Sequence, residues 1–311
     1  MRIVFIGTGE IGVLVLRSLL DSQERQLVGV VTQPDKPVGR EQRIEAPPIK
    51  AALAGRTLPI LQPARIKHEE AVAEIRALAP DVIVVMAYGQ ILPRSVLEIP
   101  RVACLNLHAS LLPRHRGAAP IQAAIVSGDR ESGITVMYMD EGLDTGDILL
   151  QSRLKIAADE TGGSLHDRLG QIAPASLDEA FAQLQRGKAP RIPQDSSAAT
   201  CAPKLEREDG RLDWMEPAEL IERKIRAFNP WPGAFALLRS EAGRERKLKI
   251  FSGRLVDAVQ GTPGEVFRSD GSITIAAKVG ALSLGEVQLE GKRRMSAAEF
   301  LRGHSAPLRV G

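Results

Sequence analysis

The feature that most constrains this chain is an alternation. Up to about residue 190, short apolar and β-branched runs take turns with segments of helical period. Ile3 to Ile6 ends at Gly7, and Ile11 to Leu20 repeats Leu and Val at helical spacing. Leu27 to Thr32 is a second run, Asp81 to Ala87 a third and Val102 to Leu107 a fourth. Continuous apolar strands separated by helices imply a parallel sheet covered on both faces, since a half-exposed strand would alternate with polar residues. The class is therefore α/β, with a Rossmann-like, mostly parallel sheet. In such sheets ligands bind beyond the carboxyl ends of the strands, so the residues that follow each run are the first candidates for function.

Further along, Ile134 to Met139 alternates and predicts another strand. Ser164 to Gln185 predicts a long amphipathic helix through Leu165, Leu169, Ile172, Leu177, Phe181 and Leu184. Gly187 to Lys204 carries three prolines, a Ser-Ser pair and few apolar residues, the texture of a linker. After Asp209 one helix, Pro217 to Ala227, precedes β-like runs at Lys247 to Phe251, Gly264 to Phe267, Ser272 to Ala277 and Ala281 to Gln288. Short strands divided by Gly-rich turns predict a small OB-like β-barrel. With 311 residues each part can bury its own core. The expected division is a catalytic domain over 1–189, a linker over 190–207 and a barrel domain over 208–311.

The net charge of +3 excludes little. Arg211 to Arg309 holds seventeen Lys and Arg, and fourteen Asp and Glu follow from Glu208 onwards, so the excess can be placed in the barrel. Its ordinary reading is a solvated surface, and a polyanionic partner needs support from another feature. Cys104 and Cys201 make no disulfide framework and lack metal-ligand spacing. Both are expected as small buried hydrophobes, and no metal is expected. No apolar run reaches membrane-spanning length, and the chain opens on a strand-like run rather than a leader. The expectation is a cytoplasmic protein that does not engage a membrane.

Gly7-Thr-Gly9-Glu-Ile-Gly12 is a GxGxxG sequence between a strand and a helix, the context of a dinucleotide site. Its second half is missing. The second strand ends Val31-Thr32-Gln33-Pro34 instead of on an acid that would hold a ribose, and Asp35 lies past the proline. The glycines are read as scaffold, making a tight turn and letting the helix pack close to the sheet.

The chemistry is concentrated elsewhere. Asn106 and His108 sit two apart at a strand end and project from one face. Ser110 to Pro113 then turns the chain, and Asp140 to Asp147 forms an acidic Gly-rich loop downstream. A carboxylate beside an imidazole favours its protonated form and fixes its orientation. An amide donor aimed at the same point polarises a carbonyl. These are parts for acyl transfer to an amine without a protein nucleophile. Ser110 is a nucleophile by type but lacks the GxSxG elbow.

The stretches NLHASLLPRHRGAAPIQ and GITVMYMDEGLDTGDIL resemble the signature of the 10-formyltetrahydrofolate-dependent formyltransferases. The RGAAPI segment narrows the resemblance to the branch that acts on methionyl-tRNA. TQPDKPVGR resembles that branch's basic insertion loop, AYGQILP its folate segment and IRAFNPWP the opening of its C-terminal barrel. The resemblance implies that Asn106, His108 and Asp144 are catalytic. It implies folate contacts from Ser110, Leu111, Leu112 and Pro113, with Tyr88, Gly89, Asp140, Glu141 and Gly142 helping to enclose the pterin. The implied donor is 10-formyltetrahydrofolate and the implied partner is initiator methionyl-tRNA. The methionyl α-amine would attack the formyl carbon, Asn106 and a His108 proton would stabilise the oxyanion, and Asp144 would hold His108. Lys36, Arg40 and Arg43, on a flexible loop, would meet the tRNA, whose body the barrel would support. One departure is Glu41, where the family often has glycine after the loop arginine. A monomer is expected.

Four rivals share parts of this pattern, and one of them, a folate-dependent hydrolase, would not need the basic loop. A formyltransferase acting on an amino-sugar nucleotide would share the N-terminal motif. An NAD-dependent oxidoreductase would rest on the Gly-rich loop alone. A non-catalytic RNA-binding module would leave the Asn, His and Asp without a purpose, and aromatic residues for base stacking make up only 4% of the chain.

Overall fold

The computed structural model describes residues 1–39, 41–239, 245–257, 259–269, 271–303 and 309–310. It divides into two compact units. The first comprises Met1–Pro120, Glu131–Lys155 and His166–Pro203, and the second comprises Ile121–Arg130, Ile156–Leu165 and Lys204–Gly311.

The first part of the chain runs β1 (Arg2–Gly7), α1 (Val13–Asp21), β2 (Gln26–Val31), β3 (Lys36–Val38), β4 (Arg43–Glu45), α2 (Pro48–Ala51) and β5 (Ile60–Leu61). It continues through α3 (Glu69–Ala77), β6 (Val82–Met86), α4 (Arg94–Leu97), β7 (Ala103–His108) and β8 (Arg116–Gly117). Then come α5 (Pro120–Ser127), β9 (Glu131–Tyr138), β10 (Ile148–Lys155), α6 (Gly162–Gln185) and β11 (Cys201–Ala202). Seven strands form one sheet in the order β10-β9-β7-β6-β1-β2-β5. The pairings from β7 to β5 are parallel, while β9 and β10 close that edge antiparallel. The side chains of Val82 to Met86 are buried throughout, as a strand covered on both faces requires. Full burial of each such Val, Ile or Leu contributes roughly 1.5–3 kcal/mol.

The sequence reading did not include β10. Its burial is patchy and it carries Gln151, Ser152, Arg153 and Lys155, because an edge strand need not be apolar throughout.

The Gly-rich turn serves packing. A Cβ on Gly7 would lie 2.7 Å from the Phe5 ring and 2.8 Å from the Met86 carbonyl. The amides of Thr8 and Gly9 both donate to the Ala87 carbonyl at 3.2 Å, which engages donors that a phosphate would use. Asp35 is engaged too. The Gln62 amide and the Lys50 ammonium hold its carboxyl below the usual range, and both bond it directly.

The second unit continues with α7 (Ala218–Ala227), β12 (Phe235–Arg239), β13 (Glu245–Ile250), β14 (Gly253–Val256), β15 (Val266–Ser269) and β16 (Ser272–Ala276). It ends with β17 (Ala281–Leu284), β18 (Glu286–Leu289), β19 (Met295–Ser296), α8 (Ala297–Arg302) and β20 (Arg309–Val310). Its strands form two antiparallel sheets, β19-β18-β13-β12-β20 and β14-β17-β16-β15, in a small barrel-like domain. Trp214, Ile221, Ile225, Leu248, Ile275, Leu282 and Phe300 share its core. The run Ala281 to Gln288, read as one strand, breaks at Gly285 into two that belong to different sheets. Gly285 and Glu286 donate their amides to Ser252 there, which secures the corner. The strand β12 was also missing from the sequence reading.

The reading of both cysteines as buried is corrected. Cys104 is buried but Cys201 is exposed, because β11 pairs only with the two-residue β8. Among the described residues no helix is long and apolar enough to cross a membrane.

Candidate active site

Strand β7 carries two polar side chains to the carboxyl edge of the sheet. Asn106 and His108 share a face and lie opposite Met137 and Thr135 of β9. The loop after β9 brings Asp144 to them. Asp144 Oδ1 accepts from the Asn106 amide at 3.3 Å, and Oδ2 accepts from the Gly117 backbone N–H at 2.9 Å. The same Oδ2 lies 3.6 Å from His108 Nδ1, with the two side chains only 14% and 6% exposed.

The other ring nitrogen of His108 sets its tautomer. Nε2 lies 2.8 Å from the His115 carbonyl, and a carbonyl can only accept, so Nε2 carries a proton. Nδ1 is therefore the nitrogen left for chemistry, and it faces Asp144. At 3.6 Å the carboxylate faces Nδ1 from beyond hydrogen-bond distance. Asn106 likewise gives Asp144 one of its two amide protons, leaving the second for a substrate oxygen. An amide N–H, together with an imidazole nitrogen that donates once the ring takes a second proton, suits a carbonyl oxygen.

Backbone geometry is unusual around these groups. Ala87, His115 and Asp144 have φ of 49°, 59° and 54°, a left-handed region that costs a non-glycine residue roughly 1–2 kcal/mol. Such strain persists where the surroundings over-determine the chain, and it collects at working sites. Gly117 has φ 119°, and a Cβ there would lie 2.6 Å from the Ala202 carbonyl. Only glycine lets this residue cap Asp144 while lying against β11.

The loop residues act mainly through the backbone. Ser110 is buried and its hydroxyl donates to the Arg114 carbonyl at 2.7 Å, so it shapes the turn. The Thr135 hydroxyl donates to the Ser110 carbonyl at 2.6 Å and accepts from the Leu112 amide at 3.1 Å. Gln151 donates to the Leu112 carbonyl at 2.8 Å. Leu112 is buried, and Leu111 and Pro113 are half-buried. Asp140 accepts from the Gly142 amide at 3.0 Å and from the Thr145 hydroxyl at 2.8 Å, bracing the loop that carries Asp144. Glu141 is exposed.

Tyr88 has its ring in the core with Leu92, Val96 and Cys104, and its hydroxyl has no partner. Burial pushes that hydroxyl up to about 12. Its backbone carbonyl accepts from Thr8 at 3.1 Å, and Gly89 follows at φ 84°.

Lys36 and Arg43 stand apart from this group. They lie on β3 and β4, which form a short antiparallel hairpin rather than the flexible loop expected. Both are exposed, and Arg43 pairs with Glu41 at 2.7 Å. Arg40 lies outside the described residues. Among the described residues no hydrogen bond or ion pair joins the hairpin to Asn106, His108 or Asp144.

Thr135, Gln151, Gln194 and Thr200 were missed by sequence reasoning. Thr135 left a trace as a polar residue within the apolar run Ile134 to Met139. The others left none, because their partners are backbone groups distant in sequence.

The chain resembles known proteins along almost its whole length. Residues 1–181 match the family model described as "Formyl transferase", and residues 204–305 match "Formyl transferase, C-terminal domain". A methionyl-tRNA formyltransferase of Akkermansia muciniphila is 46% identical, over 98% of this chain and 97% of the relative. A crystal structure of HypX from Aquifex aeolicus in complex with tetrahydrofolic acid superposes with a TM-score of 0.62 at 20% identity, covering 97% of this chain. The chain spans about half of HypX, 47% of its length. WlaRD, a sugar 3N-formyl transferase, superposes at 0.65 with 16% identity, covering 94% of this chain and 99% of that one. Both structural likenesses concern the fold.

Proposed function

The chain belongs to the formyl transferase family, matched in both of that family's domains, and on that premise we propose that it transfers the formyl group of 10-formyltetrahydrofolate to the α-amine of initiator methionyl-tRNA. The observation that carries the chemistry is the carboxylate of Asp144, bound to Asn106 and Gly117 and facing His108 Nδ1. The acceptor rests on the 46% identity to a methionyl-tRNA formyltransferase along almost the whole chain, against 16% to the sugar enzyme.

In the reaction a C–N bond forms between the amine and the formyl carbon, and the bond from that carbon to the folate N10 breaks. The proton released by the amine ends on N10. Negative charge gathering on the formyl oxygen meets the free amide proton of Asn106 and the Nδ1 proton of His108. Asp144 faces the imidazolium and holds Asn106 in line. Donors fixed before the reaction act without reorganising, and one such donor is typically worth about 10²–10³ in rate. The turn at Ser110 to Pro113 and the backbone at Tyr88, Gly89 and Asp140 to Gly142 hold the folate. Lys36, Arg40 and Arg43 meet tRNA phosphates, where exposed basic groups gain by releasing counterions. With charged initiator tRNA as the acceptor, the activity belongs in the cytoplasm.

The test offers the protein 10-formyltetrahydrofolate with either methionyl initiator tRNA or a dTDP-linked amino sugar. Formyl on the methionyl amine is the expected result. Formyl on the sugar alone, or on neither, overturns the reading.

A further inference from the structure

The segment 191–202, read from the sequence as linker, is fastened near both ends to loops and strands around the site. Arg191 stacks on the Tyr138 ring, 3.7 Å from its centre, and pairs with Asp147 at 3.8 Å. Ile192 and Ile148 exchange backbone hydrogen bonds of 2.8 and 3.0 Å. The Gln194 amide donates to the carbonyls of Asp144 at 2.9 Å and Gly146 at 2.8 Å, while its oxygen accepts from Arg116 at 2.8 Å. The Thr200 hydroxyl accepts from the His115 amide at 2.8 Å and lies 3.3 Å from His115 Nδ1. The Thr200 backbone bonds Pro113 and Arg116 on either side of it. Cys201 and Ala202 then pair with β8.

Two of these contacts fall on strained residues. Asp144 and His115 both have left-handed φ, and each is held by a side chain from this segment. Asp144 supplies the carboxylate that faces His108 Nδ1. His115 supplies the carbonyl that accepts from His108 Nε2. We propose that segment 191–202 is a strap that positions the catalytic groups, with Gln194 setting the Asp144 turn and Thr200 setting the His108 tautomer through His115. This rests on the formyl-transfer reading. The strap lies at the surface, and both residues spend their polar groups on the site's loops instead of the core. Replacing them leaves the core side chains untouched.

The experiment compares the wild type with Thr200→Val, Thr200→Ser and Gln194→Glu in formylation of methionyl initiator tRNA. Thr200→Val removes the hydroxyl, and Thr200→Ser keeps it. Gln194→Glu can still accept from Arg116 but cannot donate to either carbonyl. Because small misplacements of reacting groups cost up to about a hundredfold in rate, kcat should fall about tenfold or more in the Val and Glu variants. KM for both substrates should stay within about twofold, since no binding group is removed. Thr200→Ser should recover most of kcat. In ¹⁵N NMR of wild type, neutral His108 should carry its proton on Nε2, and Thr200→Val should move population toward Nδ1.

Several outcomes overturn the proposal. Unchanged kcat in folded Val and Glu variants would do so, as would equal losses in the Val and Ser variants. A wild-type His108 protonated at Nδ1 when neutral would do so even where no variant folds. If wild type formylates no methionyl-tRNA, the functional reading fails instead, and the NMR result still judges the strap.

Discussion

Asp144 adopts a strained backbone so that one carboxylate can bind an amide side chain, cap a backbone N–H and face an imidazole. Replacing it with Asn keeps the shape but removes the charge opposite His108. We expect Asp144→Asn and His108→Ala to lower single-turnover formylation by about 10²–10⁴-fold, the usual range for a positioned acid–base group. Circular dichroism should show the fold retained, and near-normal turnover in either variant would remove that residue from the mechanism. Tyr88 carries the opposite lesson. Its hydroxyl is buried without a partner, so it costs stability instead of adding any. Thermal unfolding of Tyr88→Phe should therefore match or exceed wild type. A loss above about 1 kcal/mol would reveal a hydrogen bond to that hydroxyl. At this scale the sequence made Asn106, His108 and Asp144 legible through motif and strand position. It could not show the tautomer of His108, since that depends on a carbonyl seven residues away.

Among the elements, the β3–β4 hairpin is the one whose charge balance invites a measurement. Glu41 pairs with Arg43 where both side chains are largely exposed, and such pairs are worth little. On the proposed tRNA contact, Arg43 exchanges Glu41 for a phosphate, while Glu41 itself opposes the polyanion. Glu41→Gln should lower KM for tRNA by about two- to threefold at low salt, with the advantage fading as salt rises. An unchanged KM at low salt would place the hairpin away from the tRNA. The central strands were legible because burial on both faces leaves an unbroken apolar run. The strand β10, the hairpin and the 191–202 strap were not. Each binds through main-chain or polar groups, and these leave no periodic signal.

For the molecule as a whole, burial lets two thiols of the same unit behave differently. Cys104 sits in the first unit's core, and burial pushes its thiol up to about 12, whereas Cys201 is exposed. Only the thiolate reacts. A disulfide exchange reagent at pH 8 should thus titrate one thiol in the native protein, Cys201, and both in denaturant. Rapid titration of both without denaturant would contradict the burial of Cys104.

The sequence by itself determined the α/β class and the barrel-like second part and singled out Asn106, His108 and Asp144 as candidates, because apolar periodicity and local motifs are written in neighbouring residues. It also showed why the Gly-rich turn is scaffold, by lacking the acid that a ribose needs. Tertiary structure decided the rest. It assigned Ala281 to Leu289 to two sheets, buried the ring of Tyr88 and fastened Gln194 and Thr200 to loops some fifty and eighty-five residues away. Hydrogen bonds to backbone groups depend on where the chain passes, and no side-chain pattern encodes that in advance.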